Sequence, residues 1–79
     1  MIHIGFNNMI NSNRVIAIAD GGNMSAPVRR AVQNAKKEGR LIDLTCGRKT
    51  GTVFFMDNKD VVISSITGLT IKRRLEDVR

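Results

Sequence analysis

The chain predicts a small α+β domain: a mainly antiparallel β-sheet with one amphipathic helix over about residues 25–39 and a short C-terminal helix. Three observations carry this. Ile2, Ile4 and Phe6 alternate with His3 and Gly5, the period of two that marks a half-buried strand. Val28, Ala31, Val32 and Ala35 recur at i, i+3, i+4 and i+7, which lays one apolar stripe along a helix. Thr52 to Met56 and Val61 to Ser65 are apolar runs on either side of Asp57-Asn58-Lys59-Asp60, the pattern of a hairpin with a four-residue loop.

Each element has a local reason. Asn7-Asn8 and Asn11-Ser12-Asn13 are turn clusters, because short polar side chains bond their own backbone and tolerate left-handed geometry. Val15-Ile16-Ala17-Ile18 reads as a second strand, ending at the flexible loop Asp20-Gly21-Gly22-Asn23. Ser25-Ala26-Pro27 announces the main helix, since serine caps free amides and proline is tolerated in a first turn. Gly39 supplies its stop, and Lys36 and Lys37 suit the negative end of the helix dipole. Leu41-Ile42-Asp43-Leu44 is a third strand. The runs at Thr52 and Val61 are almost continuously apolar, so both of their faces should be covered. Thr67 is placed to cap the last helix, with Ile71, Leu75 and Val78 on one side.

The 79 residues form a single domain, 1–79, of small size. Such a chain buries only about 60–65 % of its unfolded surface, so a monomer is marginal without disulfides, metal or self-association. One cysteine excludes an internal disulfide, and one cysteine with one histidine cannot close a zinc site. Self-association remains, and the apolar strands at Val53 to Met56 and Val61 to Ile63 are the expected contact surface.

The net charge is +6 and the pI is near 10.5, which suits a polyanionic partner. Most of the excess lies on residues 25–40, where Arg29, Arg30, Lys36, Lys37 and Arg40 face only Glu38. Residues 1–10 lack the basic start and apolar core of a secretion signal, and no run is long enough for a membrane span. With a lone cysteine, the expectation is a cytoplasmic protein without membrane contact.

Catalytic chemistry is nearly missing. His3 has no ligand spacing, and Cys46 has no evident base beside it. Gly47-Arg48-Lys49-Thr50 fails as a phosphate-binding loop because arginine stands where that motif needs its second glycine. No catalytic residue, metal, cofactor or small-molecule substrate is expected. Gly51-Thr52-Val53-Phe54-Phe55 weakly echoes a base-stacking strand, but adjacent phenylalanines point to opposite faces and core packing is the better reading.

What stands out is Arg48-Lys49 inside Thr45-Cys46-Gly47-Arg48-Lys49-Thr50-Gly51, a glycine-flanked turn between two strands. Cations lifted off a sheet by such a turn are well placed to meet phosphate. Arg14 begins a strand after another polar turn, and the two turns are expected at one edge, forming one patch. Arg29 and Arg30 on the helix are added as candidate contacts.

Taken in order, Ile4-Gly5-Phe6-Asn7-Asn8-Met9-Ile10, Ser12-Asn13-Arg14, Ser25-Ala26-Pro27, Leu41-Ile42-Asp43-Leu44-Thr45 and Gly47-Arg48-Lys49-Thr50 resemble the RemA family, small bacterial DNA-binding regulators named for extracellular matrix regulation. The resemblance spans roughly residues 2 to 75. It implies sequence-tolerant binding of double-stranded DNA by a ring-shaped homo-oligomer that controls biofilm matrix genes. By position it assigns DNA contact to Arg14, Arg48 and Lys49. Lys49 stands where the family has arginine, Gly51 where a further cation is common, and Cys46 where tyrosine is common. The expected function is therefore a nucleoid-associated transcriptional regulator. A self-assembling structural protein without nucleic-acid function and an RNA-binding module are the alternatives.

Overall fold

A computed structural model describes residues 1–77 and contains an α+β fold with two sheets. The strands are β1 (Ile2–Gly5), β2 (Asn8–Ile10), β3 (Val15–Asp20), β4 (Leu41–Asp43), β5 (Thr52–Met56) and β6 (Val61–Ser64). The helices are α1 (Ala26–Lys37) and α2 (Gly68–Asp77), so Val78 lies outside the described residues. No helix among the described residues is long and apolar enough to cross a membrane.

β1 and β2 form a small hairpin, and the main sheet runs β3-β5-β6-β4. Its pairings are antiparallel except β4 with β6, which is parallel. The exception follows from α1, which carries the chain from one edge strand across the sheet to the other and returns it in the same direction.

The central strands are covered on both sides, as their composition requires. Val53, Val61 and Ile63 face α1, where Ala35, Val28 and Val32 meet them. Phe54 and Val62 face the other way, toward Ile2, Ile4 and Ile10 of the hairpin and Ile71 of α2. Phe54 is fully buried, and a side chain of this class contributes about 1.5–3 kcal/mol on burial. It cannot stack on a base.

The residues that join the layers are polar. Thr52 Oγ1 donates to the Ile66 carbonyl, and the Ser64 hydroxyl donates to the Ile4 carbonyl, tying β6 to the hairpin. Both side chains are buried, and among the described residues no buried side-chain polar atom lacks a partner.

Local expectations change at two points and hold at a third. Phe6 leaves the first strand and Asn8 starts a second, because the turn is the two-residue Phe6-Asn7 with φ of 51° and 64°. Positive φ at both central residues is what a type I′ hairpin turn requires, and its twist matches the strands it joins. Ser25 sits at the N-cap of α1 but makes no side-chain cap bond; its carbonyl accepts from the Arg29 amide. Gly39 does end the helical segment, with φ of 73°.

The apolar surface left open also differs from the expectation. The β5 and β6 runs are satisfied within the chain, between α1 and the hairpin layer. Exposed apolar groups include Ile16 (71 %) and Ile18 on the edge strand β3, Ile42 (44 %) on the other edge strand β4, Met9 on β2, Leu69 on α2, and Phe6 in the β1–β2 turn. Edge strands are half-covered by construction, which is why their apolar residues remain open.

Candidate nucleic-acid interface

The Arg48-Lys49 turn is built from the end of β4. Asp43 accepts hydrogen bonds from the Thr45 amide at 2.9 Å and the Thr45 hydroxyl at 2.7 Å, an Asx-type bracket that sets the chain's exit from the strand. The Thr45 carbonyl then accepts from the Arg48 amide at 3.0 Å, closing a second tight turn. Its central residues, Cys46 and Gly47, have φ of 52° and 81°, again the left-handed pair of a type I′ turn. Cys46 is an exposed thiol in this turn.

The bracket has an electrostatic consequence. The Thr45 hydroxyl, then the Thr45 amide, hold the Asp43 carboxyl below the usual aspartate value, against a smaller opposing effect of burial and with help from Lys36. At neutral pH Asp43 is thus an anion committed to the turn.

Arg48 and Lys49 are exposed and make no ion pair among the described residues. The Arg48 guanidinium carbon lies over the Phe6 ring, 5.3 Å from its centroid. A Cβ on Gly51 would come within 2.5 Å of the Ile66 carbonyl oxygen, so no further cation has room there as the chain is packed.

The sheet direction decides which cations share this end. β3 ends opposite the start of β5, with Asp20 paired to Thr52 and the Gly21 amide donating to Gly51. α1 begins a few residues beyond that point, so Arg29 and Arg30 in its first turns belong to the same end as Arg48 and Lys49. Both arginines are exposed, and Arg29 reaches only the Met24 carbonyl, at 3.5 Å.

Arg14 lies at the other end, which corrects the expected single patch. Val15 pairs with Met56, and the Arg14 carbonyl accepts from the Asp57 amide. The Arg14 Nε contacts both Asp57 carboxylate oxygens at 3.2 Å. Within the chain β5 separates Arg14 from the Arg48 turn, roughly 13 Å at about 3.3 Å per residue. The two polar turns resemble each other in sequence, but one precedes a strand that runs antiparallel to the strand following the other. Only the pairing of β3 with β5 reveals that.

Phe6 was missed as a neighbour of Arg48. Its signal was the Gly5-Phe6-Asn7-Asn8 run, where asparagine tolerance of positive φ marks a turn but does not say what the turn touches. Among the described residues no group of three or more His, Cys, Asp or Glu side chains is arranged to hold a metal ion.

A small two-sheet α+β protein with exposed cations, unpaired among the described residues, at one sheet end is the class that fold and site define. The RemA-like family, described as extracellular matrix regulatory protein A-like, matches over residues 1–75, and the chain belongs to it. A Finegoldia magna protein is 47 % identical over 73 residues, covering 92 % of this chain and 86 % of its own length. A Dehalococcoides mccartyi protein is 44 % identical over 75 residues, 95 % of this chain and 76 % of its own. One from Bacillus pumilus is 43 % identical over 75 residues, 95 % of this chain and 82 % of its own. All three carry the name of a regulatory protein.

Proposed function

We propose that this protein is a transcriptional regulator that binds duplex DNA through phosphates, with little reading of base sequence, as a ring-shaped homo-oligomer. The observation that carries the reading is the Arg48-Lys49 pair, exposed, free of ion pairs among the described residues and bracketed by Asp43 and Thr45. Arg29 and Arg30 add charge at the same end. Arg14 is a second, weaker contact, since Asp57 neutralises part of its charge. Contacts a strand's length apart suit phosphates on either side of a groove about 12 Å wide.

Self-association is supported by the two unlike apolar edges. Ile16 and Ile18 lie on one edge strand, and Ile42, with Met9 beside it, lies at the other. Unlike surfaces that meet head to tail give rings when the rotation closes. A ring multiplies a few cations per protomer into avidity. Control of matrix genes is supported by the family's description, and a cytoplasmic, nucleoid-associated location goes with the proposed duplex binding.

The test is competition among duplex DNA, single-stranded DNA and RNA at two salt concentrations. Duplex should win, with affinity falling on the order of a hundredfold or more between about 50 and 200 mM salt. A flat salt response, or a preference for RNA or single strands, contradicts the reading. Absence of binding to any of the three leaves the structural-assembly alternative.

A further inference from the structure

We infer that Phe6 is a positioning residue for the phosphate site, holding the Arg48 guanidinium in place while leaving its N–H donors for a phosphodiester. The inference rests on the duplex-binding reading and adds to it a part that neither charge nor family membership assigns.

Three features support it. First, the Arg48 guanidinium carbon lies 5.3 Å from the Phe6 centroid, inside the range of about 6 Å where a ring face attracts a cation. Such attraction consumes no hydrogen-bond acceptor, and arginine's fork remains available for a phosphate. Second, Phe6 is 46 % exposed, whereas Phe54 is fully buried. Phe6 is therefore not a core residue that happens to touch Arg48. Third, Phe6 occupies a left-handed backbone position, φ 51°, where asparagine or glycine is far more at ease. A bulky side chain kept at a disfavoured position is the kind of outlier that points to function.

The turn that carries Phe6 is itself fixed to the sheet. The Ser64 hydroxyl donates to the Ile4 carbonyl, and a Cβ on Gly5 would lie 3.3 Å from the Ile66 side chain. The ring thus sits on a turn anchored beside β6, while Arg48 sits on the turn that follows β4. Two tight turns from distant parts of the chain meet through one cation and one ring. Lys49 has no ring contact among the described residues, so of the pair only Arg48 is held by a ring.

The experiment is a double-substitution cycle read by anisotropy of a labelled duplex, using Phe6→Leu, Phe6→Tyr, Arg48→Ala and Phe6→Leu with Arg48→Ala. Circular dichroism and light scattering confirm that fold and oligomer size are unchanged. Phe6→Leu should weaken binding about two- to fivefold per engaged subunit, the size of an exposed cation–π contact. Phe6→Tyr should restore it, and Phe6→Leu should have no further effect once Arg48 is alanine. Arg48 side-chain proton shifts, displaced by the ring current, should relax in Phe6→Leu and persist in Phe6→Tyr without DNA. If Arg48→Ala weakens binding but Phe6→Leu does not, or if Phe6→Leu is equally costly in both backgrounds, the positioning role is wrong and the duplex reading stands. If Arg48→Ala leaves binding intact, both fail.

Discussion

The two ends of the main sheet carry cations of opposite standing. At one end, Arg48 and Lys49 project from a bracketed turn without an ion pair among the described residues, near the first turns of α1 with Arg29 and Arg30. At the other, Arg14 lies against both oxygens of Asp57 beside the β5–β6 hairpin loop. Both ends are basic by sequence, yet Arg48 and Lys49 have no carboxylate partner among the described residues whereas Arg14 is held by Asp57. Charge count alone does not rank candidate phosphate contacts; the direction of the strands and the placement of the carboxylates do.

The largest effect should come from the apolar edges proposed to assemble the ring. Ile16→Lys or Ile42→Lys places a charge on an apolar edge and should reduce the protein toward its 8.7 kDa monomer in light scattering. If the proposed ring forms, duplex affinity should then fall on the order of a hundredfold, because its avidity is lost. A substituted protein that stays assembled would place the interface elsewhere.

A smaller effect is expected from the removal of Asp57. Asp57→Ala frees Arg14 and should raise duplex affinity by about two- to threefold at low salt. Its effect on stability should stay within about 1 kcal/mol, as for other exposed pairs. Lower affinity in this variant would mean that the ion pair organises the site rather than masking it.

The smallest effect concerns acid. Asp43 has a lowered pKa when folded, so its stabilisation is complete above its unfolded value near 3.9 and is lost as pH falls through the lower folded value. The carboxyl is exposed and screened by water, so the contribution is modest. Asp43→Asn should flatten the acid limb of the stability curve below about pH 4 and leave neutral stability only slightly lower. An unchanged acid limb would remove Asp43 as the bracket of the turn.

Most of the fold was legible because its signals are local. The stripe Val28, Ala31, Val32 and Ala35 gave α1, and the apolar runs around Asp57 to Asp60 gave the β5–β6 hairpin. The short β2 was not legible, since Asn8-Met9-Ile10 has too few residues for a period and begins with a turn former. The parallel pairing of β4 with β6 is a tertiary outcome that no local pattern encodes. The same holds for the site. Arg48 and Lys49 could be singled out from their turn, whereas the distance from Arg14 depends on which end of β5 meets β3. The approach of Phe6 to Arg48 joins two distant turns and left no pairwise trace in a single sequence.

For duplex binding, the Arg48-Lys49 end should outweigh the Arg14 end, and one titration series tests this. Affinity is measured across salt for the unsubstituted protein, for Arg48→Ala with Lys49→Ala, and for Arg14→Ala, with oligomer size checked in each. The double substitution should lower affinity by well over tenfold and make the slope of log K against log salt shallower by about 0.9 for each phosphate no longer neutralised. Arg14→Ala should cost only a few-fold, with a smaller change of slope and an unchanged oligomer. Equal losses from both ends, or a larger loss from Arg14→Ala, would contradict this ranking of the two ends.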